Sequence, residues 1–155
     1  MVTITEHLER MSHTADDLAA ALDGQSESVL ARRPAEDAWA AKEIVCHLRD
    51  AEELFMDRFQ TILDNDEPKF SPPGSDRWAR DRQYLRNDVT EALATFRVRR
   101  EETLKFLSSL SPEHWERGGM HPTRGRMTTT DFVALMAWHD DNHLDQLRRA
   151  LQSRP

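Results

Sequence analysis

The chain has one cysteine, Cys46, among its 155 residues. That excludes an internal disulfide, and a lone thiol fits a reducing compartment. Glycine is nearly as scarce, with five in the chain, and aromatic residues make up 7%. With 38% hydrophobic and 32% charged residues, this composition suits an all-helical soluble protein better than a sheet. No apolar run approaches the length of a membrane span, and the opening MVTITEHLERM lacks a signal-peptide pattern. The expected location is therefore cytoplasmic, with no membrane partner. Positive charge is also in short supply, since the formal net charge is −7. A phosphate backbone demands concentrated Lys and Arg, so no nucleic-acid partner is expected. The arginines between Arg77 and Arg86 alternate with Asp76, Asp81 and Asp88, which reads as a mixed-sign solvated surface. At 18.0 kDa the chain fits one domain, residues 1–155, large enough to bury a substantial core.

What the chain does contain is helical periodicity. Thr128 to Leu151 reads as one long helix carrying His139 and His143 four residues apart. That spacing stacks both imidazoles on one face, close enough to share a metal ion. Phe132, Met136, Leu147 and Ala150 continue the stripe, so the histidines occupy positions where core leucines are expected. Thr128 with Asp131 three residues on resembles a capping box, the acid replacing the usual Glu or Gln. Two satisfied interface histidines would give the same spacing, so the pair alone leaves both readings open.

The first helix is expected from about Thr3 to Leu22, its stripe of Ile4, Leu8, Met11, Ala15, Leu18 and Leu22 forming a bundle seam that Gly24 terminates. Ser26 to Ala31 offers one or two further turns. The second helix is expected from near Ala40 to about Asp64, with Ile44, His47, Ala51, Leu54, Phe55, Arg58 and Ile62 on its buried face. A third histidine thus falls on a core-facing position of another helix. Three imidazoles supply three protein ligands and leave coordination positions open, as in catalytic rather than closed structural sites. A buried His47 could instead hydrogen-bond a backbone carbonyl or Asp50, and Asp50 could orient His47 or simply be solvated. Arg58, about 20° from His47 around the helix, is expected to pair with an acid on a neighbouring helix, because an unpaired interior charge is costly. Cys46 points about 100° away from His47 and reads as a packed thiol.

Three prolines and a glycine mark residues 65–78 as a loop. A third helix is expected from about Ala79 to Leu110, its apolar stripe interrupted by Arg99, Arg100 and Thr103. That interruption reads either as a polar pocket in the bundle or as a surface where the helix outruns its neighbours, and we take the second. Ser111-Pro112 opens a short turn, and RGGMHPTRGRM is a glycine-rich connection into the last helix. His114 and His121, in these connections, lack a partner at fixed spacing and are not counted as ligands.

Trp39, Glu43, His47-Leu48, Asp50, Glu52, Arg58, Arg100, the Leu-Ser-Ser-Leu-Ser turn, His121-Pro122 with Gly125, and His139-Asp140-x-x-His143-Leu-x-Gln146 together resemble the DinB-like, or YfiT-like, superfamily. The similarity extends from about Leu8 to Leu151. It implies an all-α four-helix bundle of up-down-down-up topology, often a homodimer. It also implies a divalent metal, commonly nickel or zinc, held by His47, His139 and His143. The chain departs from its relatives at Ala40, where a Ser or Thr cap is common, a loss of about 1 kcal/mol. The resemblance implies one of two activities: transfer to or from a low-molecular-weight thiol, or hydrolysis of small substrates. A non-catalytic metal-binding dimeric stress protein is the alternative. Asp50, Asp140 and Glu43 are the candidate general bases.

Overall fold

A computed structural model describes residues 1–155, with the side chain of Asp76 outside the described residues. Among the described residues, eight α-helices and one short hairpin follow in order: α1 (Ile4–Ser12), α2 (Thr14–Leu22), α3 (Glu27–Leu30), α4 (Ala41–Asp64), α5 (Trp78–Asp81), α6 (Val89–Ser108), α7 (Pro112–Glu116), β1 (Gly118–His121), β2 (Gly125–Thr128) and α8 (Thr129–Leu151). Among the described residues, no helix is long and apolar enough to cross a membrane.

Two stacked apolar clusters give the helix directions. One contains Leu18 of α2, Ile44 and Leu48 of α4, Phe96 of α6 and Leu147 of α8. The other contains Met11 of α1, Phe59 and Ile62 of α4, Leu107 of α6 and Phe132 and Met136 of α8. The α1–α2 pair and α8 therefore run from the second cluster to the first, while α4 and α6 run the opposite way. This is the up-down-down-up four-helix bundle. Because α4 and α6 are parallel, the connection between them must return along the whole bundle. On the way it contributes Phe70 to the second cluster and Tyr84 to the first.

Local chemistry sets the ends. Thr128 and Asp131 form the expected reciprocal capping box, the Thr128 hydroxyl accepting from the Asp131 N–H at 3.1 Å and the Asp131 carboxylate from the Thr128 N–H at 2.9 Å. At the start of α4, Ala40 offers no acceptor, yet Glu43 still accepts the Ala40 N–H at 3.1 Å and pairs with Arg33. Half of the box survives there, and Glu43 is spent on it.

Three expectations on element boundaries change. The first helix is interrupted at His13, where the Met11 carbonyl accepts a hydrogen bond from Arg100 (2.9 Å); a side chain inserted into the ladder bends a helix. The third helix does not start at Ala79. Trp78–Asp81 is a separate turn, Gln83 takes a left-handed conformation (φ 50°), and α6 starts only after Asp88, whose carboxylate caps Thr90 and Glu91. The glycine-rich connection is a hairpin in which Gly118 pairs with Thr128 and His121 with Gly125. The backbones lie so close that a Cβ on Gly118 would sit 2.3 Å from the Met127 oxygen, and one on Gly119 would sit 2.6 Å from the Pro68 oxygen.

Candidate metal centre

His47 reaches the α4–α8 seam from α4, and His139 and His143 reach it from successive turns of α8. Their Nε2 atoms converge: His47 to His139 is 3.2 Å and His143 to His139 is 3.1 Å. Each ring offers one ligand nitrogen, and all three lie within 4.8 Å of one another. With metal–imidazole bonds of about 2.0–2.1 Å, nitrogens this far apart subtend about 100° at a shared ion, between octahedral and tetrahedral values. The donor set therefore fits a divalent cation.

The electrostatics agree with that fit. Burial, reinforced by the neighbouring histidines, pushes His47 down to about 3; burial, His143 and Arg100 do the same to His139. Burial also lowers His143. All three rings are thus neutral near pH 7, the form whose lone pair binds metal. Gln146, one turn beyond His143, accepts from its Nδ1 at 2.8 Å. This fixes the proton on Nδ1 and frees Nε2 to face the cluster. His47 is held differently: its Nδ1 has no hydrogen-bond partner among the described residues, and the ring packs against Trp39 with centroids 4.9 Å apart. Phe55 stands edge-on to His139 at 5.6 Å.

The carboxylates have other tasks. Asp50 accepts from the Tyr84 hydroxyl (2.6 Å) and from Arg49 (2.9 Å), and pairs with Arg82 (3.0 Å). It neither orients His47 nor lies in solvent, the two expectations for it. Burial opposes its charge, but the hydrogen bonds from Arg49 and Tyr84 outweigh that and hold it below the usual carboxylate value. Asp140 accepts from Arg100 (2.6 and 2.9 Å) and from Thr14 (2.6 Å). Neither acid joins the three-histidine group.

Arg100 corrects a second expectation. It is 3% exposed and does not sit where a helix outruns its neighbours. It donates to Glu52 as well as Asp140, so α4, α6 and α8 meet in one ionic cluster, with Thr14 and the Met11 carbonyl joining from α1–α2. Arg58 corrects a third. It is buried as expected, but no described acid lies within ion-pair distance of it. Its Cζ instead lies 5.4 Å from the Phe70 ring centroid and 5.8 Å from that of Phe132. Cys46 is the packed thiol expected, its Sγ 3.9 Å from the Tyr84 oxygen and its pKa raised by burial to about 11. His114 bonds Ser111, and His121 accepts from loop N–H groups, so both remain outside the cluster. The mixed-sign surface around Arg77 holds for Arg80 with Asp81; the Asp76 side chain lies outside the described residues. Gln146 and Trp39 also belong to the site, and the one sequence signal for them beyond resemblance is the i+3 spacing of Gln146 from His143.

The chain is matched at residues 10–147 by the model of the DinB superfamily. It is 20% identical over 154 residues to the Oceanobacillus iheyensis protein OB0413, covering 97% of this chain and 86% of that one. It is 23% identical over 128 residues to YfiT of Bacillus subtilis, covering 82% and 72%. Both relatives are provisionally named metal-dependent hydrolases. The solved structure of Bacillus subtilis YfiT, described as an unusual four-helix bundle, superposes with a TM-score of 0.89 over 96% of this chain and 86% of that chain at 20% identity.

Proposed function

The chain belongs to the DinB superfamily, and on that premise we propose that it is a divalent-metal-dependent hydrolase of small substrates. The observation that carries this reading is the convergence of three imidazole nitrogens, the His47 and His143 Nε2 atoms each 3.1–3.2 Å from that of His139 and all within 4.8 Å of one another. A divalent ion in such a site supplies Lewis acidity at its open positions, lowering the pKa of a water there. His47, His139 and His143 would hold it, and imidazole donors suit nickel and zinc. Gln146 keeps the proton on His143 Nδ1. Trp39 and Phe55 wall the ring faces and limit access of bulk water. Asp50 and Asp140 act in this proposal as positioning residues for α4 and α8, since arginines already occupy their oxygens.

One observation favours a second reading, transfer involving a low-molecular-weight thiol. No described carboxylate joins the three histidines, and a thiol deprotonates on coordination without a separate base. A homodimer is part of either proposal, and sedimentation equilibrium checks it.

The test is metal content by mass spectrometry on protein purified without chelator, beside His143→Ala, followed by assays of ester and amide hydrolysis and of thiol transfer. Near-stoichiometric nickel or zinc, lost in the variant, with metal-dependent turnover is the expected result. Protein that cannot be loaded with either metal would refute the proposal.

A further inference from the structure

Arg58 is 6% exposed, and its guanidinium faces Phe70 and Phe132. Among the described residues its one hydrogen bond is a long contact to the Ser71 carbonyl, 3.5 Å. Asp57, next to it in sequence, is exposed and outside ion-pair distance. A guanidinium does not escape burial by losing its proton at neutral pH. An unpaired interior cation is therefore a standing cost to the fold unless an anion from outside completes it.

A second group faces the same place. The His121 ring lies 6.2 Å from that of Phe132, and burial, Arg58 and Arg124 lower its pKa. Its Nδ1 accepts from the Thr123 and Arg124 N–H groups at 3.1 and 3.2 Å, which places the ring proton on Nε2. That Nε2–H has no hydrogen-bond partner among the described residues. The hairpin thus presents a neutral donor against the same Phe132 ring that the Arg58 guanidinium faces.

Arg58 shares α4 with His47, and its neighbour Phe132 shares α8 with His139. Phe132 precedes His139 by seven residues on α8, about 10 Å of helix rise. Phe55, edge-on to His139, precedes Arg58 by one turn of α4, and helical side chains lean toward the N-terminus. Phe70 and Phe132 flank Arg58 and Phe55 flanks His139, all three within one apolar cluster.

We propose that Arg58 and the His121 Nε2–H bind a carboxylate of the substrate, and that the substrate class is small monocarboxylates with an apolar body between the anion and the reacting group. Arg58 with the neutral His121 donor balances one carboxylate, and the planar guanidinium fork matches that group in two parallel hydrogen bonds. Only the reacting group depends on the metal-dependent reading; the anion site stands on Arg58 and His121.

The test is thermal unfolding and titration calorimetry of the full chain with benzoate, and with neutral benzamide as control, before and after zinc loading. Benzoate is expected to raise the unfolding temperature of the metal-free protein by several degrees, benzamide leaving it unchanged. Arg58→Met is expected to weaken benzoate binding at least tenfold, and without ligand to unfold no earlier than the parent chain. Arg58→Lys keeps the charge without the fork and is expected to weaken binding at least fivefold, so a Met variant that fails to fold does not stop the test. Equal benzoate affinity in either Arg58 variant, an equal response to benzamide, or no benzoate response in the parent chain would overturn the proposal. Benzoate binding that requires zinc and survives Arg58→Met would place the anion on the metal, overturning this inference while leaving the metal reading intact. Arg58-dependent binding in a chain that never takes up metal would do the reverse.

Discussion

Asp140 follows His139 directly in α8, yet its carboxylate turns into the bundle and accepts two hydrogen bonds from Arg100, at 2.6 and 2.9 Å. One turn of helix therefore presents a ligand to the seam and an anchor to the core. Arg100→Met strands the buried Glu52 and Asp140 carboxylates together and should destabilise the chain by about 3–5 kcal/mol, whereas Asp140→Asn leaves Arg100 paired with Glu52 and should cost less. In a cycle their effects should fall well short of additive, as urea unfolding of both single variants and the double variant will measure.

Gln146 makes a separable contribution. It is half-buried, and its contact with the site is the 2.8 Å hydrogen bond to His143 Nδ1. Gln146→Ala should leave the fold intact and weaken metal binding about 10- to 100-fold. Gln146→Glu, which keeps an acceptor, should retain most of the affinity. Competition with a chromophoric chelator reads both.

Asp50 predicts an acid limb to stability. Its folded pKa lies below the ordinary value because bonds from Arg49 and Tyr84 outweigh burial. The stability it contributes is therefore fully present above the unfolded pKa, about 3.9, and is lost as pH falls through the lower folded value. The difference in unfolding free energy between the parent chain and Asp50→Asn should be constant from pH 7 to about 5 and shrink below about pH 4. A difference that stays constant down to pH 3 would refute the assignment.

The hairpin offers a steric test. Gly118→Ala places a methyl group 2.3 Å from the Met127 oxygen, whereas Gly74→Ala meets nothing within 4 Å. The first should cost about 1–3 kcal/mol, as overpacking does, and the second no more than about 0.5. Thermal unfolding of the two variants side by side separates them.

Much of the site was legible in the sequence because its ligands obey helical periodicity. His47, His139 and His143 occupy positions that apolar stripes mark as inward, and the structure brings them together. Periodicity also supplied the four main helices. It could not reveal that Arg100 faces Glu52 and Asp140, since the convergence of four helices is a tertiary fact. The same holds for Arg58, whose face was read correctly and whose partners are aromatic rather than acidic. The start of α6 was readable at Asp88 with Glu91 three residues on, but the apolar residues before it extended the pattern too far. Strands of four residues are too short for alternation to declare them, so the hairpin became visible only in its backbone pairing.

The chain cannot form an internal disulfide with its single cysteine, but the His47 and His139 Nε2 atoms stand 92 residues apart in sequence and 3.2 Å apart in space. A cation shared between them would act as a cross-link closing most of the chain into one loop, lowering the entropy the chain gains on unfolding for as long as the ion stays bound. Such a tie is governed by metal supply rather than by redox state, so chelation, not reduction, would be the treatment that loosens this protein.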